Sequence, residues 1–233
     1  MADINIKDIR AKEADIKIES LLDLTKTDAA SLFDRAVYPF EVLGRIKSYI
    51  TDVLIPSLDK SLFERRGEDV YIAKTAKVAD SALINGPTVI FGEAEIRQGA
   101  FIRGSTVVGK GAVVGNSTEL KNCILFDGVQ VPHYNYVGDA ILGYKAHMGA
   151  GAVTANIKAD KSNVVIRGGL NIDTGLRKMG AILGDFADVG CNSVLTPGVI
   201  IGRSTNLYPL SMVRGVIPAN SVYKSGGMVA KKR

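Results

Sequence analysis

Beginning at Ile72, every sixth residue is aliphatic for nine steps: Ile72, Val78, Ile84, Ile90, Ile96, Ile102, Val108, Val114 and Leu120. Four positions further on in each unit stands a small residue: Ala76, Ala82, Thr88, Ala94, Ala100, Thr106, Ala112 and Thr118. A helix repeats at 3.6 and a strand at 2, and neither gives this double register. The phase slips near residue 125, resumes through Leu125, Val131 and Val137, and returns as Leu183, Val189, Leu195, Ile201, Leu207 and Val213. This pattern predicts a mainly β chain wound into a triangular prism. Each hexapeptide supplies one short strand and one corner, the aliphatic residue points inward, and the small one sits where the next coil stacks closely. Three hexapeptides close a turn of about eighteen residues, giving about seven to eight coils over 70–223. No coil buries its inner face alone, so the stack is held by neighbours.

Composition agrees with a narrow prism. Aromatic residues make up 6% and Trp is absent, while the 25 glycines show no collagen period and so mark turns. No apolar run is long enough to span a bilayer, and the charged start MADINIKDIRAKEADIK lacks the apolar stretch of a signal peptide. These features predict a cytoplasmic protein with no membrane partner. Cys123 and Cys191 are expected to be packed thiols rather than a disulfide or a metal site.

The charge is uneven. Residues 1–69 carry 11 Lys/Arg against 14 Asp/Glu, and residues 70–233 carry 18 against 10. A basic repeat half points to small anions such as phosphates or coenzyme A. No stripe of basic and aromatic residues argues for nucleic acid.

Three segments depart from the repeat. Residues 1–69 are expected to form an α-helical N-terminal cap over the first coil, whose edge is otherwise unpaired. A first helix would be capped at Thr27 or Asp28 and run into Leu32 and Phe33. A second would open at Pro39, present Leu43, Ile46, Ile50, Val53 and Leu54 on one face, and stop at Pro56. Residues 157–178 read as an inserted loop, with Gly168 and Gly169 between VVI and LNI suggesting a hairpin. Its Lys158, Lys161, Arg167, Arg177 and Lys178 suggest anion binding. Residues 224–233 read as a basic tail, frayed at Lys231, Lys232 and Arg233.

The chain has two histidines, His133 and His147. His133 lies in PHYNYVGDAILG, where the period is disturbed and the character turns polar and aromatic, with Tyr134, Asn135, Tyr136 and Asp139 close by. An imidazole that titrates near neutrality suits proton transfer there.

ELKN (119–122), PHYNYVGDA (132–140), GAGAVTAN (149–156) and GDFADVGCNSVLTPG (184–198) resemble the hexapeptide-repeat C-terminal domain of the bifunctional UDP-N-acetylglucosamine pyrophosphorylase/glucosamine-1-phosphate acetyltransferases. They are similar also to that domain in sugar-1-phosphate nucleotidylyltransferase relatives. The likeness spans about 70–223, and PFEVLGRIKSYI looks like the helical lead-in of those relatives. It implies a left-handed parallel β-helix, a homotrimer with sites between neighbouring prisms, acetyl-CoA as co-substrate, and no structural metal. His133 matches the general base; Tyr136 and Asn156 match residues at the amino sugar. Arg103 and Lys121 match cations on the sugar phosphate, and Lys161 a further one. Ala150 and Cys191 fall at coenzyme-side positions, the latter a serine in the bacterial enzymes. His147 replaces an asparagine that contacts sugar, Ile157 replaces a tyrosine, and AFIRGS is shorter than the family's two-arginine stretch. No Gly-rich nucleotide-binding opening precedes the helices, so pyrophosphorylase activity is not expected.

The sequence therefore predicts an acyl-CoA-dependent N-acetyltransferase acting on an amino-sugar 1-phosphate or a sugar nucleotide. Two other readings are open. A γ-type carbonic anhydrase on the same fold needs three histidines, and two are present. A non-catalytic scaffold or regulatory subunit is favoured by the changes at 147 and 157 and opposed by His133, Tyr136 and Asn156.

Overall fold

The computed structural model describes residues 3–232. Residues 70–223 form a parallel β-solenoid with three faces, termed A, B and C in the order the chain visits them. Face A stacks Ile72, Ile90, Val108, Leu125, Leu142, Leu183, Ile201 and Ile217 in register. Face B stacks Val78, Ile96, Val114, Val131, Met148, Val189, Leu207 and Tyr223. Face C stacks Ile84, Ile102, Leu120, Val137, Thr154, Leu195 and Val213. Two faces are thus eight parallel strands deep, and the strand Phe63–Gly67, antiparallel to Val70–Ala73, adds a ninth rung to face A. The expected inward aliphatics are buried from Ile90 onward, whereas Val78 and Ile84 in the first coil are half-buried because nothing stacks beneath them.

Face A differs from the other two. Its strands are apolar on both sides: the outward residues Val89, Val107, Ile124, Ile141, Ile182 and Ile200 are all fully buried. The N-terminal segment covers them, so it is a strap along one flank rather than a cap over the first coil. It starts at the far end, where Ile4–Asn5 pair with Met228–Val229, and it descends through backbone bonds from Ala11 to Gly168, from Asp185 to Leu21 and from Asp127 to Lys26. Doubly apolar strands need a second cover, which only a lengthwise element supplies.

The helical run Pro39–Ser57 opens at Pro39 as expected, in 3-10 geometry to Arg45, then α, π and α turns. Leu43, Ile46, Ile50 and Leu54 are buried, but Val53 is exposed and Pro56 lies inside the last turn. The first expected helix is only a 3-10 turn, Ala30–Phe33, and Thr27 accepts from the Ala29 amide instead of capping a long helix.

The tail also differs from expectation. Met228–Lys231 folds back antiparallel on Ser221–Tyr223, and Lys232 donates its backbone N–H to Asn220, covering the upper edge of face B. Arg233 lies outside the described residues. No helix among the described residues is long and apolar enough to cross a membrane.

Candidate functional site

The two disturbed stretches of sequence become two different corners of the prism. At the corner between faces C and A, two coils are one residue short: Val108, Leu125 and Leu142 follow one another more closely than Ile72, Ile90 and Val108 do. The shortening merges two strands into one, so Glu119–Leu125 and Tyr136–Leu142 bend round the corner unbroken. At the bends, Asn122 and Asp139 take left-handed backbone conformations (φ 49° each). The inserted segment leaves the next coil at the same corner. A bridge between Ile157 and Lys178 closes its base, and Val165–Ile166 pairs with Ile172–Asp173 as the expected hairpin.

Asp139 is the centre of this corner. Its carboxylate is buried and accepts from Lys121 Nζ (3.0 and 3.2 Å), Asn122 Nδ2 (2.9 Å) and Asn156 Nδ2 (2.5 Å). Asn156 also donates to the Tyr136 hydroxyl at 3.1 Å. The Tyr136 ring folds back over residue 138, where a Cβ would run into the ring and its hydroxyl, so the ring keeps this position only while residue 138 is glycine. Burial, with the negative charges of Asp139 and Glu119, pushes the Tyr136 phenol above its ordinary value. It therefore stays protonated at neutral pH.

The strap enters this site. Asn122 donates to the Leu43 carbonyl at 3.2 Å, and Leu43 and Gly44 form one wall of a cleft of about 600 Å³. Asn122, Asp139, Lys161, Arg177 and Lys178 line the rest. Tyr136, Asn156 and Lys121 are thus brought together as the sequence suggested, with Lys161 at the rim. Arg103 lies at the edge of this group, paired at 2.8 Å with Glu119, the residue in register with Tyr136, and Lys121 is engaged by Asp139, so neither expected phosphate cation is free of a carboxylate.

His133 lies at the other corner, between faces B and C. Register places His133, Ala150, Cys191 and Pro209 in one column up this edge. The backbone steps between rungs by bonds from Gly151 to His133 (3.0 Å), from Asn192 to Ala150 (2.8 Å) and from Leu210 to Cys191 (2.9 Å). The expected base and both coenzyme-side positions therefore share a single column.

The His133 turn is held by Asn135, which occupies the position that is small in other coils. Asn135 is buried; its Oδ1 accepts from the His133 amide (3.1 Å), and its Nδ2 donates to the Gly149 and Ala152 carbonyls (2.8 and 3.1 Å). Among the described residues, the His133 imidazole is exposed and has no hydrogen-bond partner. Cys191 is exposed rather than packed, while Cys123 is fully buried and its thiol is pushed up to about 12 by that burial.

His147 joins neither corner. It sits on the outside of face B, where its Nδ1 lies 2.8 Å from Asp188 Oδ1, and Asn206 donates to the other Asp188 oxygen at 3.2 Å. The hydrogen bond with His147 holds Asp188 below the ordinary carboxylate range. Asp139, Asn122, Asn135 and Asp188 were not singled out as site residues from sequence. The one-residue shortening is the signal that marks the first two, and the loss of a small residue marks the third.

Fold and corners together define a hexapeptide-repeat β-solenoid with a polar cleft at one edge and a histidine column at another. Comparison with known proteins agrees with the resemblance seen in the motifs. A family model described as the GMPPB C-terminal domain matches residues 84–175. The chain is 30% identical over 174 residues to a bifunctional sugar-1-phosphate nucleotidylyltransferase/acetyltransferase of Sulfurisphaera tokodaii, covering 66% of this chain and 43% of that one. It is 34% identical over 135 residues to the bifunctional protein GlmU of Methanococcus maripaludis, covering 58% and 33%. A putative uncharacterized acetyltransferase of Escherichia coli, YaiX, is 27% identical over 182 residues, covering 78% and 79%. The chain thus spans less than half the length of the two bifunctional relatives.

Proposed function

We propose that this chain is an acyl-CoA-dependent N-acetyltransferase whose acceptor is an amino-sugar 1-phosphate or a related sugar nucleotide, working as a homotrimer in the cytoplasm. The observation that carries the reading is the column of His133, Ala150 and Cys191, with the His133 and Cys191 side chains exposed and the His133 backbone turn fixed by the buried Asn135 amide. The acetyltransferase names of the similar proteins support it.

In this reading His133 takes a proton from the sugar ammonium. The freed amine attacks the thioester carbonyl carbon of acetyl-CoA and forms a C–N bond. As the C–S bond breaks, the imidazolium returns its proton to the leaving thiolate and the former amine nitrogen releases its extra proton to water, leaving a neutral acetamido sugar, coenzyme A and one proton in solvent. Tyr136 and Asn156, fixed to each other and to Asp139, hold the sugar. Lys161, Arg177 and Lys178 at the cleft rim meet its phosphate with charge-assisted hydrogen bonds. Such roles need the cleft of one prism to face the column of a neighbour, as a three-fold assembly allows.

A second reading moves the base to His147, because it is the histidine held by a carboxylate. A carboxylate partner fixes the tautomer and stabilises the imidazolium. The experiment is a thiol-release assay with acetyl-CoA and a panel of amino-sugar 1-phosphates and nucleotide sugars, run on wild type, His133→Ala and His147→Ala. Loss of turnover in His133→Ala, with His147→Ala retaining most of it, is expected. The reverse pattern moves the base to His147. No turnover with any acceptor and no coenzyme A binding leaves a non-catalytic scaffold.

A further inference from the structure

Three segments far apart in sequence meet at the upper end of the solenoid. The strap donates Ala11 N–H to the Gly168 carbonyl at 2.8 Å. The hairpin tip, at Gly168 and Gly169 (φ 106° and 103°), packs so tightly that a Cβ on Gly168 would meet the Val216 amide at 3.1 Å, and one on Gly169 would meet Arg10 Cδ at 3.0 Å. Between them runs a groove of about 690 Å³. Its wall is apolar at Ile6, Ile9 and Met212, and Arg167, Arg214 and Gly215 also line a smaller neighbouring recess, together with Lys158.

The groove gathers Arg10, Arg167 and Arg214, and among the described residues no carboxylate lines it. Among the described residues, Arg167 and Arg214 make no side-chain hydrogen bond or ion pair, and Arg10 donates only to the backbone carbonyls of Lys7 (2.6 Å) and Ile9 (3.5 Å). Arg66, Arg97, Arg103 and Arg203, by contrast, are each neutralised by a carboxylate. Three guanidiniums in one cleft repel one another and concentrate anions. Their forked donors match phosphate oxygens. The apolar wall beside them suits a ligand that carries an organic body on its phosphate.

We infer that Arg10, Arg167 and Arg214 form a binding site for an organic phosphate ester of the nucleoside diphosphate type, completed by the N-terminal strap. The site is independent of which histidine is the base and of whether acetyl transfer occurs. The same chemistry is offered by the nucleotide end of a coenzyme and by a separate nucleotide.

The test is calorimetric titration of the full chain with ADP, with coenzyme A and with inorganic pyrophosphate. Partners are Arg167→Ala/Arg214→Ala, Arg10→Ala, the conservative Arg167→Lys/Arg214→Lys, and His133→Ala. ADP is expected to bind wild type and His133→Ala equally. Its binding should weaken with added salt and fall roughly tenfold for each arginine lost, a change of about 1.4 kcal/mol each. The lysine pair should recover part of that loss. Hydrogen exchange of residues 4–11 should slow when ADP is added, because the ligand bridges strap, hairpin and last coil. Displacement of ADP by coenzyme A assigns the phosphates to the coenzyme, and simultaneous binding assigns them to a separate nucleotide. Absence of ADP and coenzyme A binding, or affinities unchanged in the double alanine variant, overturns the site.

Discussion

The two working corners of this solenoid are built by opposite means. The edge between faces B and C keeps the six-residue period, and the result is a straight column: His133, Ala150, Cys191 and Pro209 follow one another rung by rung. The edge between faces C and A drops one residue in each of two coils, and the result is a buried carboxylate ringed by Lys121, Asn122 and Asn156. A regular repeat can only lay side chains out in lines. Convergence on one atom group comes with the break: the left-handed turn itself is shared by both edges, at Ser117, Tyr134 and Asn192 on the regular one, but only the shortened corner puts asparagine and aspartate, which tolerate it best, at Asn122 and Asp139 of successive coils with their side chains joined.

That contrast is broken most severely at Asp139. Asp139→Ala leaves the half-buried Lys121 ammonium without its carboxylate and takes one of two acceptors from each of Asn122 and Asn156; breaking a buried charged pair costs about 3–5 kcal/mol, and partial exposure of Lys121 places this loss at the low end. The midpoint of chemical denaturation should fall accordingly; a shift as small as that of an exposed Asp173→Ala control would show that the corner is not held by its carboxylate. Asn135→Ala tests the regular edge. It removes three hydrogen bonds and takes the side-chain donor from the Ala152 carbonyl and from the Gly149 carbonyl, which keeps the Ala152 N–H, at about 1–3 kcal/mol. If His133 is the base, turnover should drop together with stability, since the imidazole loses its fixed turn. Normal turnover in a folded Asn135→Ala protein would sever the link between that amide and the histidine.

Gly138→Ala is a gentler perturbation, expected to displace the Tyr136 ring from Asn156 while leaving the stack intact. The check is acceptor KM, which should rise several-fold with little change in thermal midpoint. The smallest effect is a dependence on pH that belongs to neither corner. Asp188 is held below its ordinary value of 3.8 by His147, so the unfolded chain binds the proton more readily. This contribution to stability is complete above that pH and is lost as pH falls through the lower folded value. In His147→Ala the Asp188 carboxyl should titrate closer to 3.8 by carbon-detected NMR.

Much of the scaffold was legible in the chain because the inner columns are set by a local rule: every sixth residue fills the prism, and the phase of the repeat gives the register. The strap was not legible as a strap. Its apolar face looks the same whether it covers a coil end or a flank, and only the paired aliphatics of face A, such as Val107–Val108 and Ile124–Leu125, show which surface needs it. At the candidate site, residues within one coil of each other were found together: Lys121, Tyr136 and Asn156 are joined through Asp139. The pairing of His147 with Asp188 was hidden because the inserted segment 157–178 separates them in the chain while the stack puts them on adjacent rungs. Arg103 looked free because its partner Glu119 lies one coil away in the stack and sixteen residues on in the chain.

Stacked repeats ordinarily behave as a one-dimensional array, in which each unit touches only its neighbours and the ends come apart first. Here the chain first runs the length of the stack before it begins to wind. Ile4–Asn5 are tied to the last rung, and Phe63–Gly67 are tied to the first. Every coil between is fastened to the same rod, through Phe33 against Phe126, Asp23 to Asp185, and Lys110 to Asp28. Such a brace couples rungs that share no contact, so the terminal coils cannot melt without releasing cover from the middle ones. The molecule is expected to lose its structure in one cooperative step, where an unbraced solenoid of this height would peel from its ends.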